Sequence, residues 1–146
     1  MTKSQAKSVN TACIVDTAVF IAAYFPREVH HKEGKEIVTA IENRQIKGAL
    51  ITDYILDETV TFVRRRVGVD ASNKVLDTLL GSPKLEIFKI NRNHFEAGIA
   101  FFKRYEQLSF TDAVTVAVMK DQAINVIYSF DHGFDAVPGI VRMTKP

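Results

Sequence analysis

At 146 residues, with 47% hydrophobic and 25% charged, the chain has the size and balance of one ordinary soluble domain with room for a full core, which excludes a disordered or fibrous protein. A formal net charge of +2 and a pI near 8.7 permit a nucleic-acid partner without demanding one. The single cysteine, Cys13, excludes an internal disulfide and a cysteine-cluster metal site, and its apolar neighbours mark it as a small buried side chain in a cytoplasmic protein.

Residues 1–10, MTKSQAKSVN, read as a polar tail, and 11–146 as a single domain. The apolar run that follows the tail is interrupted by Asp16 and falls short of the roughly 20 residues a bilayer span requires, so neither a signal peptide nor a membrane anchor is expected. Residues 12–15 form a buried strand, followed at once by a helix over 17–24 that stops before Pro26. A helix over 32–43, a strand over 48–52 and a helix over 54–67 with Gly68 past its end come next. Then follow a helix over 71–81, a strand over 85–90 and a helix over 92–105. The helix over 111–122 has no charge in its middle and must be buried nearly all round. Strands over 125–129 and 139–143 complete the set. Strands alternating with helices predict an α/β fold, a central parallel sheet with helices on both faces, and in such folds ligands collect at the carboxyl ends of the strands.

Several acids fall where that edge would lie. Asp16 follows the first strand directly, inside an apolar run where an unpaired carboxylate costs several kcal/mol to desolvate. Asp131 follows the fourth strand, in YSFDHGFD. Glu58 borders the apolar stripe of the helix after the second strand, while its neighbour Asp57 points away. Asp112 opens the charge-poor helix, beside the hydroxyls of Ser109 and Thr111. Two carboxylates about 4 Å apart repel by about 4 kcal/mol at an effective dielectric near 20, so such a cluster needs a counter-charge. Oxygen ligands without supporting cysteines or well-spaced histidines point to a hard divalent ion, Mg²⁺ or Mn²⁺. Such an ion activates water and neutralises charge on a phosphodiester, which is hydrolytic nuclease chemistry.

The ordered set IVDT, YILDETVT, LSFTDAVTVAVMK, IYSFDHGFD and VPGIVRM, running from Ala12 to Met143, resembles the PIN-domain proteins and especially the VapC-type toxin ribonucleases of toxin–antitoxin pairs. The resemblance implies a three-layer α/β/α sandwich and an endoribonuclease whose acidic quartet is Asp16, Glu58, Asp112 and Asp131, both catalytic and metal-binding. It also implies supporting roles for Ser129 and Asp135, with Thr17 beside them, and a cognate antitoxin that masks the pocket of a homodimer.

Each residue also has a plainer reading. Asp16 can cap the helix after it, Asp112 can complement a helix dipole, Glu58 can pair with Arg65, and Asp131 can be a turn residue ahead of Gly133. None of these accounts for all four acids at one edge. Arg64, Arg65 and Arg66 suit a helix end, with phosphate contact as the second reading. His30 and His31 belong to a turn or helix start, and His132 lies near the site. Tyr24, Phe25, Phe62, Phe101 and Phe102 read as core or a dimer face rather than as a base-stacking platform. No G-x-x-x-x-G-K or G-x-G-x-x-G string is present. The rivals are a phosphohydrolase on a doubly wound sheet, which would want D-x-D where Val15-Asp16-Thr17 stands, and a non-catalytic module that kept the fold.

Overall fold

The structure is a computed structural model that describes residues 12–146; the tail expected over 1–10 lies outside them. Apolar, mostly β-branched runs form β1 (Cys13–Val15), β2 (Ala49–Thr52), β3 (Leu85–Phe88), β4 (Val126–Tyr128) and β5 (Val141–Met143). Between them lie α1 (Thr17–Tyr24), α2 (His31–Glu42), α3 (Asp53–Arg66), α4 (Val69–Gly81), α5 (Arg92–Arg104) and α6 (Phe110–Asp121), with a 3-10 turn at His132–Ala136. Helix starts shift by a residue or two from the periodic pattern because caps decide them. The Thr52 hydroxyl accepts from the Ile55 amide at 3.1 Å and so draws Asp53 into α3, and α4 begins directly after Gly68, whose φ of 133° no other residue adopts readily.

All strand pairs are parallel, in the order β3-β2-β1-β4-β5. Helices α1 to α4 pack with one another and α5 packs on α6, which gives the α/β/α sandwich. Helix α6 is buried from Asp112 to Met119, as its lack of charge requires. It lies so close to α5 that a Cβ on Gly98 would sit 2.6 Å from Val114 Cγ2. Cys13 is buried and free, and burial pushes its thiol up to about 11, in keeping with an apolar packing role. Among the described residues no helix is long and apolar enough to cross a membrane.

The strand order reverses between β1 and β4. The chain lays β2 and β3 on one side of β1 and then crosses to lay β4 and β5 on the other. That reversal opens a crevice at the carboxyl ends of β1 and β4, the position where doubly wound sheets bind ligands.

Candidate active site

The register of β1 against β4 carries the first acid to this crevice. Val15 pairs with Tyr128, and the Asp16 amide donates to the Tyr128 carbonyl at 2.9 Å, which sets Asp16 beside Ser129. The Ser129 hydroxyl donates to Asp16 Oδ2 at 2.7 Å, and the Thr17 amide donates to Oδ1 at 2.9 Å. Asp16 thus caps α1 while its other oxygen faces Ser129. It is only 6% exposed. Burial pushes its carboxyl up to about 6 from an ordinary 3.8; the two hydrogen bonds oppose the rise, and the charges of Glu58 and Asp131 add to it.

Helix α6 delivers the second acid. Asp112 and Ser109 close a capping box, the Asp112 amide donating to Ser109 Oγ at 3.2 Å and the Ser109 amide to Asp112 Oδ2 at 3.3 Å. Burial first, and the charge of Asp16 next, push the Asp112 carboxyl up to about 7, with Asp131 contributing. The two buried acids therefore hinder each other's ionisation.

Asp131 and Glu58 are exposed and stand at the rim. Asp131 caps the 3-10 turn, accepting from the Gly133 amide at 2.8 Å, while its own amide donates to Ser129 Oγ at 3.0 Å. A side chain at Gly133 would place Cβ 2.6 Å from the Gln107 carbonyl oxygen, so only glycine lets this turn seat Asp131 at the edge. Glu58 borders a cavity of about 620 Å³ lined also by Thr17, Asp57, Thr61, Phe62, Arg65 and Arg66. One expectation is corrected here: Asp57 does not point away but reaches the same cavity, where it accepts from the Thr61 hydroxyl at 3.2 Å. Glu58 is nevertheless the α3 acid whose charge acts on Asp16.

The acids named from the sequence therefore share one electrostatic neighbourhood. Among the described residues no three acidic, imidazole or thiol groups stand close enough together to hold an ion, and Asp16, Asp112 and Asp131 each accept from a local cap amide. In the same wall, the Thr17 hydroxyl oxygen is buried with no hydrogen-bond partner among the described residues.

The remaining candidates lie as follows. Asp135 is not drawn to the cluster: its carboxylate receives Arg142 Nε and Nη2 at 3.0 Å each, and this guanidinium lowers its pKa from the ordinary carboxylate value. Arg142 Nη1 also donates to the Ser129 carbonyl at 3.2 Å, and Nη2 lies 2.9 Å from His132 Nδ1. Nothing in the sequence marked Arg142, whose only signal is a cation in an otherwise apolar edge strand. His31 Nδ1 bonds the Ala22 carbonyl at 2.7 Å and His30 stacks on Phe130 at 4.4 Å, so the adjacent histidines do not act as a pair.

A PIN domain family model matches residues 13–140. A VapC ribonuclease of Archaeoglobus fulgidus is 29% identical over 135 residues, which cover 90% of this chain and 83% of that protein. Ribonuclease VapC13 of Mycobacterium tuberculosis is 29% identical over 123 residues, covering 84% of this chain and 90% of its own. In fold, the chain is similar to the crystal structure of Mycobacterium tuberculosis VapC20, a sarcin-ricin loop cleaving toxin, with a TM-score of 0.79 at 24% identity over 92% of this chain and 100% of that one. A toxin–antitoxin complex from Klebsiella pneumoniae follows at a TM-score of 0.64 and 18% identity, over 89% and 96% of the two chains. The matched span begins at β1, runs past the 3-10 turn and includes every acid of the crevice, and the chain accordingly belongs to the PIN domain family.

Proposed function

We propose that this chain is a metal-dependent endoribonuclease, the toxin of a toxin–antitoxin pair, in which Asp16, Glu58, Asp112 and Asp131 hold Mg²⁺ or Mn²⁺. The observation that carries this reading is the pair of buried acids at the switch point, Asp16 and Asp112, whose carboxyls are raised by burial first and by neighbouring charges next, so that their ionised forms lack a counter-charge. Hard oxygen donors in that condition suit a small divalent cation, and the unpartnered Thr17 hydroxyl adds a further oxygen at the same wall. When bound, such an ion supplies an activated water and charge neutralisation at a phosphodiester.

The chain's own residues do the rest. Ser129 and the Thr17 amide hold both Asp16 oxygens in one orientation. The Ser109 capping box does the same for one oxygen of Asp112. Glu58, exposed on α3, and Asp131, exposed at the start of the 3-10 turn, would have to turn inward to join them, Asp131 by leaving the Gly133 amide. Support for the ribonuclease activity comes from relatives of which this chain spans most of the length and which bear that name. An antitoxin presenting an Arg to the acids is the partner this reading implies. A homodimer would cover apolar side chains left exposed on α5, where Phe95 and Phe102 are 41% and 46% exposed; sedimentation near twice 16.4 kDa is the expected result.

Asp112→Asn tests the site. Asn keeps the cap, so the metal-free variant should melt no lower than wild type, and slightly higher as repulsion is relieved. In millimolar Mn²⁺ wild type should gain melting temperature as its site fills and the variant much less. Cleavage of single-stranded RNA should fall by more than the roughly 10–100-fold typical of losing a ligand's hydrogen-bonded partner. A variant that cuts RNA at the wild-type rate, or a wild type whose melting ignores Mn²⁺, would sink the assignment.

A further inference from the structure

Glu58, Thr61, Phe62, Arg65 and Arg66 recur at steps of three and four, which places them on one face of α3. With Thr17 they line the cavity of about 620 Å³ beside the acids. Glu58 stands at the end coupled to Asp16, and the arginines lie about 10–12 Å farther along the helix axis.

The run of three arginines divides in the folded chain. Arg64 turns away, donating from Nε to Ser72 Oγ at 3.0 Å and from Nη2 to Asn73 Oδ1 at 2.8 Å, and so joins α3 to α4. Arg65 and Arg66 form no ion pair among the described residues, although Asp57 and Glu58 share their helix. The guanidinium of Arg66 lies instead over the rings of Phe25 and Phe62, at 5.2 and 5.8 Å, and those rings meet edge to face at 5.7 Å. Phe62, expected in the core or a dimer face, keeps 37% of its surface exposed in this wall.

A polyanion approaching four carboxylates meets a repulsive field that one divalent ion offsets only in part. The cations next along the same face complete the compensation. Exposed guanidinium groups beside a partly exposed aromatic ring also suit a single-stranded nucleotide, the cation taking the phosphate and the ring the base. We propose that this face of α3 is the subsite for the nucleotide adjoining the cleaved bond, with its phosphate on Arg65 and Arg66 and its base against Phe62. The inference rests on the ribonuclease reading and names where that substrate lies. An acidic protein segment would meet the same arginines but would make no use of the ring.

The test compares wild type, the Arg65→Gln/Arg66→Gln double variant, Phe62→Leu and Phe62→Tyr on a single-stranded RNA whose cut site has been mapped, with Mn²⁺-dependent melting beside it. Phe62→Leu should raise KM roughly 10–100-fold with kcat little changed, and Phe62→Tyr should restore it. The double variant should raise KM and flatten the slope of log KM against log salt by about 1.4, two contacts at about 0.7 each. An abasic nucleotide at the subsite should slow wild type by the Phe62→Leu factor and slow that variant no further. The Mn²⁺ midpoint should be the same in all, which separates this subsite from the metal site. If wild type cuts RNA while the variants keep its KM and salt slope, the subsite is overturned and the ribonuclease reading stands. Equal losses in Phe62→Leu and Phe62→Tyr, with lowered melting in both, would assign the ring to the fold and likewise overturn it. A wild type that cuts no RNA in Mn²⁺ overturns the underlying reading, and the subsite with it.

Discussion

Arginines flank the acidic edge on both sides, in opposite states. On the β5 side Arg142 is 12% exposed in its side chain and engaged with Asp135, His132 and the Ser129 carbonyl. On the α3 side Arg65 and Arg66 are exposed and form no ion pair among the described residues, Arg66 lying over two aromatic rings. The difference teaches that a cation beside an acidic site has two distinct uses. Paired with a fixed acid it positions the backbone; unpaired, it is available to an incoming phosphate. Arg142 belongs to the first kind, because the residue it grips by the carbonyl, Ser129, grips Asp16 by the hydroxyl.

The comparison breaks most visibly with pH. Were Arg142 compensating the buried acids instead of Asp135, metal-free stability would be insensitive to their titration. Asp16 and Asp112 have carboxyls raised to about 6 and about 7, so the folded chain keeps protons that the unfolded chain releases near 3.8. Their contribution favours folding below that ordinary value and is lost as pH rises through 6 and 7. For Asp16 alone the loss is roughly 3 kcal/mol. Melts in EDTA should therefore fall in temperature between about pH 4 and about pH 8, Asp112→Asn should fall less, and saturating Mn²⁺ should flatten the wild-type profile. A flat profile in EDTA would mean that the paired flank already neutralises the site.

A smaller effect sharpens the positioning role. Arg142→Ala removes the brace on Ser129 without touching any of the four acids. It should weaken Mn²⁺ affinity, read from melting against Mn²⁺ concentration, by roughly 10–100-fold. Arg142→Lys should recover only part of this, since an ammonium cannot donate two parallel bonds to Asp135. If Arg142 merely fastens an edge strand, both variants will melt lower in EDTA while their Mn²⁺ midpoints stay at the wild-type value.

These contrasts mark where sequence reading succeeds and where it stops. The layers were legible because β-branched runs and 3.6-residue periods are local properties, and α6 betrayed its burial by carrying no charge from Ala113 to Met119. Asp16 and Asp112 stood out for the same reason, as carboxylates in apolar surroundings, and helical spacing preferred Glu58 to Asp57. Arg142 was not legible. Its role depends on β5 pairing with β4 so that Arg142 lies opposite Ile127, a register that no local pattern specifies. Asp135 looked like one more acid because sequence cannot show that Arg142 has taken it. Phe62 looked like core because an apolar residue at helical spacing reads alike whether its face meets another helix or a cavity.

The smallest effect is the most discriminating, because it separates neighbours in one run of identical residues. Arg64 sits beside Arg65 and carries the same charge, so any account based on the net charge of the helix end predicts that the two behave alike. The folded chain says otherwise, since Arg64 donates to Ser72, which is 2% exposed, and to Asn73, and it is absent from the cavity wall. Arg64→Gln should lower stability by about 1 kcal/mol in a urea titration, as two side-chain bonds joining α3 to α4 are lost or lengthened. Its KM for single-stranded RNA and its salt slope should match wild type, while Arg65→Gln alone should flatten the slope by about 0.7. An Arg64→Gln protein whose salt slope flattens as much as that of Arg65→Gln would show that the helix end acts as diffuse charge, and the contrast between a bracing arginine and a waiting one would fail on this flank.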